Sequence, residues 1–537
     1  DDTAQLRLFG IAEWIMGSQR GDRLSTHTAS HASPDRLTLT CTQTEQSANF
    51  GNATAFLSLG LAPGDQAEWT CDRRELLDSH GTLQLPHPLG QGAGKGLDPC
   101  AALALRIAVK PGETSSHVFV LGFGADPAMA LRGAARDGAV AADQRATAVR
   151  ATWDTLLGAV QVTTPDPLFD VMVNRWLLYQ NVACRMWAKA GFYQAGGATG
   201  YRDQLQDAMA MTWAAPRMLR EQILIAASRQ FAQGDVQHWW HAPDGAGVRT
   251  RFSDDLLWLP FACLHHLQTS GDSALLDQQV PFIEGPEIAV GAEDAYYVPT
   301  VSALQASVYE HAARAIDHSL RVGVHGLPLM GSGDWNDGMN RVGIEGRGES
   351  VWLAWFLCSV VSGFAPLARA RGELARADGW ERAARGWQDA LQGAAWDGSW
   401  YRRAFFDDGQ VLGSHTNTEG SIDLIAQAWG VLSGVAPPDR ARQAMQAVDQ
   451  HLLDPKAGLI RLLDPPLQHQ SPSAGYIQAY PPGVRENGGQ YSHAGVWALM
   501  AQAELGLREP RDAGAGDRVW RYFRWLNPAH RCADPAQ

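Results

Sequence analysis

The stretch Ser116-His-Val-Phe-Val-Leu-Gly-Phe-Gly-Ala-Asp-Pro-Ala-Met-Ala-Leu-Arg132 divides the chain into two textures. Up to Gly124 it reads as a strand. From about Pro127 it turns helical. Upstream, Arg36-Leu-Thr-Leu-Thr-Cys-Thr42, Ala55-Phe-Leu-Ser-Leu-Gly60 and Ala102 to Val109 alternate apolar and polar residues, with Gly, Pro, Asp and Asn between them. That is the pattern of a β-sandwich of short antiparallel strands. Downstream, Ala128 to Leu157 is rich in Ala and Arg and has few breakers, so it reads as one or two linking helices. After Thr164-Pro-Asp-Pro167 come Leu168–Met186, Asp203–Ser228, Asp254–Thr269, Val301–Val322, Ser350–Arg371, Trp380–Gly393, Ser421–Ser433, Asp439–Leu452 and Tyr491–Leu505. Helical segments separated by long Gly- and Trp-rich loops suggest an α/α toroid, with an inner ring of helices wrapped by an outer one and loops forming a cleft at one end. No short-period repeat argues for a solenoid. The expected organisation is multidomain α+β: a sandwich over 1–126, a helical linker over 127–162 and a barrel over 163–537. The chain begins at Asp1 without a start Met, so the sandwich is expected to be incomplete at its start.

The length, 537 residues, suits two to four domains. No run approaches the roughly 20 apolar residues of a membrane span, and no N-terminal signal peptide is read. Acids outnumber bases 57 to 44 and no basic run occurs, which argues against a nucleic-acid partner. The bases are nearly all Arg, as codon bias in a GC-rich genome would give. The seven Cys are scattered with no CxxC pair, so neither a zinc site nor a disulfide framework is expected, and a reducing compartment fits. Trp is the unusual residue, at 20 copies. Large cores use Trp, and an indole face also stacks on the C–H face of a sugar ring.

Four loop segments gather the chemistry. In Gly200-Tyr-Arg-Asp-Gln-Leu-Gln-Asp207, Asp203 and Asp207 share a helix face, and Arg202 is a planar fork suited to hydroxyls or a carboxylate. A capped helix with a salt bridge would look the same. In Gly234-Asp-Val-Gln-His-Trp-Trp-His241, His238 and His241 have metal-compatible spacing, but the Trp pair points to a sugar platform. Nearby, Ser253 or Asp254 reads as a helix cap. The segment Gly331-Ser-Gly-Asp-Trp-Asn-Asp-Gly-Met-Asn340 packs two carboxylates, two carboxamides, a Trp and three Gly into ten residues. A carboxyl beside an indole has its neutral form favoured, as a general acid needs. A calcium loop is the alternative, although the EF-hand glycine and terminal Glu are missing. Last, Tyr480-Pro-Pro-Gly-Val-Arg-Glu-Asn-Gly-Gly-Gln-Tyr-Ser-His493 collects Arg485, Glu486, Gln490 and His493 for hydroxyls or an anion, or is a structural loop.

Together these segments resemble glycoside hydrolase family 94, the inverting phosphorylases of β-linked gluco-oligosaccharides. The closest likeness is to the phosphorylase-like C-terminal region of cyclic β-1,2-glucan synthases and to 1,2-β-oligoglucan phosphorylases. The residues carrying it are Tyr201 to Ala210, Gly234 to His241, Gly333-Asp-Trp-Asn-Asp-Gly-Met-Asn-Arg-Val-Gly343, Ile425-Ala-Gln-Ala-Trp429 and Tyr480 to Gln490, with Gly96-Leu-Asp-Pro-Cys-Ala101 in the N-terminal part. The likeness runs over nearly the whole chain. It implies an N-terminal β-sandwich, a helical linker and an (α/α)6 barrel. It also implies that inorganic phosphate attacks the anomeric carbon while a carboxylic acid protonates the departing oxygen. It maps that acid onto Asp337. Substrate contacts map onto Arg202, Asp203, Asp207, Trp335, Asn336, Gln427 and Glu486, and phosphate contacts onto His493 and Arg485. Phosphate is already a nucleophile, so one acid and an anion site suffice, whereas an inverting hydrolase also needs a base.

The resemblance implies no cofactor and no metal, with phosphate as co-substrate. The implied partners are a β-glucan oligosaccharide, a larger synthase containing this chain, or a second copy. The implied location is cytoplasmic, including as a domain of an inner-membrane synthase. Two departures enter the expectation. The family continues past Leu526-Asn527-Pro528 with a Gly/Trp/Thr-rich loop that adds phosphate contacts, whereas this chain ends in a polar tail at Gln537, so the expectation is either a barrel truncated at its C-terminus or a homologue that lost the segment. Ser414-His-Thr-Asn-Thr-Glu-Gly-Ser421 differs from the acidic, Cys-containing stretch of the family, on the acceptor side. Three readings stay open: a phosphorylase, a weakly active or non-catalytic glucan-binding region that tunes chain length in a synthase, and a hydrolase using Asp334 or Glu486 as base.

Overall fold

A computed structural model describes residues 3–17, 20–45, 51–138, 140–189, 197–242, 244–289, 292–509 and 511–533. The chain divides into two compact units. One comprises residues 1–156 with 190–198 and 241–246, and the other comprises 157–189, 199–240 and 247–537.

The first unit is a sandwich of two antiparallel sheets. Ala4–Glu13, Pro99–Val109 and Ala67–Asp72 form one, and Thr26–Ser33, Arg36–Gln43, Thr54–Gly60 and Phe119–Gly124 the other. Alternation sends Leu37, Leu39, Cys41, Leu57 and Leu59 from one sheet against Leu103 and Leu105 from the other, all buried. The strands read from the sequence are present. Ala4–Glu13, Thr26–Ser33 and Ala67–Asp72 add three strands to those expected from the sequence. The expected helical stretch is two helices, Pro127–Gly138 and Ala142–Leu157. The first buries Ala130 and Ala134 against Phe56 of the second sheet.

The second unit alternates inner and outer helices, the architecture of an (α/α)6 barrel. The helices Tyr201–Met209, Trp258–Ser270, Val351–Ala370, Leu424–Leu432 and Ser492–Arg508 touch one another in that order. Pro216–Ala227, Val308–His318, Leu374–Gln392, Pro438–His451 and Ala515–Leu526 pack outside them. Each inner helix begins at the same end of the barrel, where the long connections also lie. Ser350 caps Val351–Ala370 by accepting from the Leu353 N–H, and Asp423 caps Leu424–Leu432 by accepting from the Ile425 N–H.

Several expected helices are corrected. Asp203–Ser228 is two helices, because Pro216 cannot continue the first and opens the second at its first turn. Val301–Val322 begins as the strand Thr300–Ser307, paired with Gln279–Glu284, and turns helical where Ser307 caps Val308–His318 with Glu310 three residues on. The C-terminal tail is not featureless: Pro528–Ala533 is helical, and His530 Nε2 lies 2.9 Å from Asp166 Oδ2. Phe169 packs on Trp520 and Phe523, so the Ala515–Leu526 helix lies against the Pro167–Val171 helix. The Val351–Ala370 helix has the length and average composition to cross a membrane, although Ser359, Ser362 and Arg369 interrupt its apolar run. In the structure 72% of its most apolar stretch is buried, where it serves as one of the barrel's inner helices.

That centre is filled with indoles. Trp258, Trp352, Trp429 and Trp497 are at most 7% exposed and pack ring to ring with Phe356, the Trp258 and Trp497 planes lying within 8° of parallel. Burying each large apolar side chain contributes about 1.5–3 kcal/mol. Trp240, one of the pair expected to form a sugar platform, is 4% exposed and belongs to the same hydrophobic core. The Trp258 Nε1 donates to Asp254 at 3.0 Å, which is how a buried indole satisfies its N–H.

Candidate functional site

The first turns of the inner helices and the loops before them place most of the singled-out side chains at one end of the barrel. Arg202, at the start of Tyr201–Met209, is 8% exposed. Its Nη1 donates to both Asp254 oxygens at 3.0 and 3.1 Å and to the Asp334 carbonyl at 3.2 Å. Its Nη2 donates to Asp337 Oδ1 at 2.6 Å. The Arg202 fork therefore ties the 254 and 334–337 segments together and orients the Asp337 carboxylate. The Asp337 side chain is 32% exposed, the most open of the three carboxylates ion-paired with Arg202. Burial pushes the Asp254 carboxyl up to about 7 against the pull of Arg202. Asp254 was read as a helix cap. It caps nothing, and its two oxygens serve Arg202 and Trp258 instead.

His238 reaches the same carboxylate from the other side. It lies on the strand Gln237–His241, paired with Gly247–Thr250, which fixes its direction. Its Nδ1 is 2.7 Å from Asp255 Oδ2 and its Nε2 is 3.8 Å from Asp337 Oδ2. Burial works against a charged ring here, but the Asp255 and Asp337 carboxylates overrule it, and His238 is pushed up to about 9. A raised native value stabilises the fold fully below the ordinary 6.5 and loses that contribution as pH rises through about 9. The denaturant midpoint is therefore expected to fall between pH 6.5 and 9, and His238→Gln to flatten that part of the profile. A variant with the wild-type slope would contradict the ion pair.

The loop before Val351–Ala370 is held from beneath. Gly333, at φ 138, leaves no room for a Cβ, which would lie 2.6 Å from the Phe252 ring. The next residue, Asp334, is fully buried. Its oxygens take Arg403 Nη2 at 2.6 Å, Arg403 Nη1 at 2.7 Å, Ser350 Oγ at 2.7 Å and the Asn336 N–H at 3.1 Å. Burial alone would raise this carboxyl, but Arg403 holds it below the usual range. With both oxygens occupied, Asp334 is not available as a base for water. Asn336 is 1% exposed, and its Oδ1 accepts from the Gly338 N–H, capping the short turn that carries Asp337. Asn336 therefore supports that turn through Oδ1, while its Nδ2 makes no hydrogen bond among the described residues.

Trp335 is 6% exposed, packed against Tyr491, His493 and Trp497 at centroid distances of 5.3, 5.4 and 5.3 Å. Its Nε1 donates to His493 Nδ1 at 3.2 Å. The expected stacking face for sugar is thus turned into the aromatic core, and the indole instead sets the His493 ring. An indole N–H only donates, so Nδ1 accepts, and the neutral imidazole carries its proton on Nε2. Burial lowers His493 to about 4, which keeps it neutral near pH 7.

Gln427 is corrected outright. It is fully buried, accepting from the Tyr401 N–H at 2.9 Å and donating to the Tyr401 and Asp423 carbonyls at 2.7 and 3.0 Å. It fastens backbone and cannot reach a ligand. Gln427→Leu is expected to destabilise the fold by about 1–3 kcal/mol for each buried group left unpaired, read from denaturant melts, with KM unchanged. A KM change without a stability loss would restore its substrate role.

Asp203 and Asp207 do share a face, beside Arg185 at 4.0 and 3.0 Å. Burial raises Asp207 to about 7, while Asp203 is 55% exposed. In the last segment, buried Asn487 bonds the Leu467 N–H and the Leu467 and Tyr480 carbonyls at 2.7, 2.7 and 2.9 Å. That clamp displays Arg485, whose guanidinium lies 4.8 Å over the Tyr480 ring and 3.3 Å from Glu486, itself 9% exposed. Gln490 turns inward, its Oε1 accepting from the Ile460 N–H. Tyr476 and Tyr491 lie within electrostatic reach of both Asp337 and Arg485. Asp254, Asp255, Arg403, Tyr476 and Tyr491 were missed as members of this cluster. The doubled acid at Asp254-Asp255, ahead of an apolar helix, was the one signal for two of them.

The comparisons with known proteins agree on the family. The glycosyl hydrolase 94 superfamily catalytic-domain model matches residues 152–534, and the glycosyl hydrolase 94 supersandwich-domain model matches residues 1–147. The chain is 43% identical over 531 residues to the cyclic beta-(1,2)-glucan synthase NdvB of Rhizobium meliloti (strain 1021), covering 98% of this chain and 18% of that protein. It is 31% identical over 461 residues to the N,N'-diacetylchitobiose phosphorylase of Vibrio proteolyticus, covering 80% of this chain and 53% of that protein. It is 34% identical over 352 residues to the solabiose phosphorylase of Paenibacillus borealis, covering 65% and 42%. The chain spans about half the length of these phosphorylases and less than a fifth of the synthase. A crystal structure of a bacterial glucoamylase complexed with acarbose superposes at TM-score 0.58 and 11% identity, covering 97% of this chain and 71% of that one, a likeness of fold.

Proposed function

Because this chain belongs to the glycosyl hydrolase 94 superfamily, we propose that it is an inverting phosphorylase that cleaves a β-linked, β-1,2 gluco-oligosaccharide with inorganic phosphate, releasing glucose 1-phosphate. The observation that carries the reading is the setting of Asp337: a part-exposed carboxyl gripped on one oxygen by Arg202, while Asp334 is locked on Arg403 and Glu486 faces Arg485. That leaves a part-exposed acid at Asp337 and takes Asp334 out of use as the base that water activation needs.

In this reading Asp337 protonates the departing glycosidic oxygen as the C–O bond breaks. A phosphate oxygen then forms the new bond at the anomeric carbon from the opposite face. The Arg485 guanidinium and the His493 Nε2–H hold the phosphate, the first as a charged fork and the second as a neutral donor. Arg202, Asp203, Asp207 and Glu486 receive sugar hydroxyls. The β-1,2 linkage rests on the synthase relative, which also favours a second reading: a glucan-binding region of a larger cytoplasmic-facing synthase that sets chain length.

One incubation separates the readings. The protein is mixed with β-1,2-gluco-oligosaccharides with and without phosphate, and products are resolved by chromatography. Phosphate-dependent glucose 1-phosphate supports the phosphorylase. Binding without turnover supports the glucan-binding region, and phosphate-independent glucose release would establish hydrolysis instead.

A further inference from the structure

Asp337 faces two cationic side chains, and they are not equivalent. Arg202 holds Oδ1 with a hydrogen bond at 2.6 Å and cannot give up a proton at any working pH. His238 faces Oδ2 from 3.8 Å with Nε2, a group that can. The other end of the ring is fixed, because Nδ1 is 2.7 Å from the Asp255 carboxylate. Asp255 is 1% exposed, and its Oδ1 makes no hydrogen bond among the described residues, lying 3.8 Å from Arg202 Nε. A buried carboxylate with one oxygen on the ring and no hydrogen bond to the other stabilises a positive charge on that ring. Phe252 packs edge-on against the His238 ring at 4.7 Å and limits its rotation. The charged groups facing His238 are therefore Asp255 and Asp337, with Arg202 opposing them.

We propose that His238 is the proton reservoir of the site: the Asp255–His238 pair stores the proton that Asp337 delivers to the leaving oxygen. This rests on the phosphorylase reading for the acceptor of that proton, and the storage itself is a property of the resting protein. The transfer balances. His238 Nε2–H passes its proton to Asp337 Oδ2, leaving a neutral imidazole with Nδ1–H on Asp255. Asp337 passes a proton to the glycosidic oxygen as the C–O bond breaks. The attacking phosphate, after bonding to the anomeric carbon from the opposite face, loses its own O–H proton to solvent. Solvent returns one proton to Nε2 once the products leave, through the part-exposed Asp337 side of the ring. The phosphate proton cannot pass directly to Asp337, because inversion places the sugar between them. His238 is thus a positioning residue that acts through Asp337 and need not touch the sugar.

Two measurements test this. The first needs no turnover: the His238 ring is followed by NMR titration in the intact protein, assigned with His238→Gln. The expected result is a ring still protonated at pH 8, titrating well above ordinary histidine and shifting down by at least one pH unit in Asp255→Asn. A ring titrating in the ordinary range, or unmoved by Asp255→Asn, overturns the proposal even if the protein is an active phosphorylase. The second is the pH profile of kcat for wild type and His238→Gln, on a natural oligosaccharide and on an aryl glucoside whose acidic leaving group needs no protonation. The expected loss of kcat is at least tenfold larger on the natural substrate, and the alkaline limb moves to lower pH by at least one unit. Equal losses on both substrates, or an unmoved limb, would show a merely structural histidine. A wild type that makes no sugar phosphate from either substrate would overturn the phosphorylase reading and leave the titration result to decide the charge on His238.

Discussion

Asp337→Asn is expected to lower turnover of a natural β-linked oligosaccharide by about 10²–10⁴-fold, the usual worth of a positioned general acid. The substitution changes little else. Asn has nearly the same shape, and its side-chain oxygen can still accept from Arg202 Nη2, now at 2.6 Å on Oδ1. Arg202 also keeps both Asp254 oxygens, so no buried cation is stranded. The side chain is one-third exposed, so the fold loses little. What the amide cannot do is hand over a proton. The loss is therefore expected in kcat more than in KM, and an aryl glucoside with an acidic leaving group should be much less affected. The measurement is glucose 1-phosphate release at saturating phosphate. Near-normal turnover of the natural substrate by the variant would show that another group is the acid.

Asp334→Asn is expected to be the most destabilising conservative change in the same loop, by about 3–5 kcal/mol. Asp334 and Arg403 are both fully buried and meet through two hydrogen bonds of 2.6 and 2.7 Å. Removing the carboxylate charge leaves Asp423, 3.5 Å from Arg403 Nε, as the guanidinium's remaining ion pair. A buried charge that loses its close partner costs far more than the intact pair contributes, because desolvation of the survivor is no longer offset. The readout is the denaturant midpoint at constant slope. The double variant Asp334→Leu with Arg403→Met should recover much of the loss, since it strands no charge at Arg403. A single variant as stable as the wild type would show that the pair is not the anchor of this loop. The pH sign follows from the depressed native carboxyl: its share of stability is present above the ordinary carboxylate range and is lost as pH falls through the lower native value.

These two neighbouring acids show how far residue order can be read. Asp334 and Asp337 are three apart in one Gly-rich loop and look alike in sequence. One is locked on an arginine 69 residues away, and the other is left open beside an arginine 135 residues away. Their difference is wholly tertiary. The same holds for Gln427, which sits in a motif that resemblance assigns to substrate and yet bonds the backbone of Tyr401. It holds for Trp335 as well, whose polar Gly-rich surroundings in sequence conceal an aromatic pocket made by Tyr491, His493 and Trp497. Helix errors have local causes. Pro216 splits one helix, and the β-branched Thr300-Val301 start lets a strand displace the first turns of another.

Sequence by itself determined the order of architectures, because period-2 alternation before Gly124 and long apolar helical stretches after Thr164 answer to local geometry and hold whatever the partners are. It also determined the family, because several long motifs occur in order along the chain. Tertiary structure alone decided which of the many carboxylates, indoles and histidines are open, paired or buried. The inner helices bring residues from 185 to 493 to one end of a barrel, and desolvation and charge depend on neighbours in space. That is why Asp337 is separated from Asp334, why His238 is held charged and His493 neutral, and why the Trp surplus packs the barrel axis more than it lines the cleft.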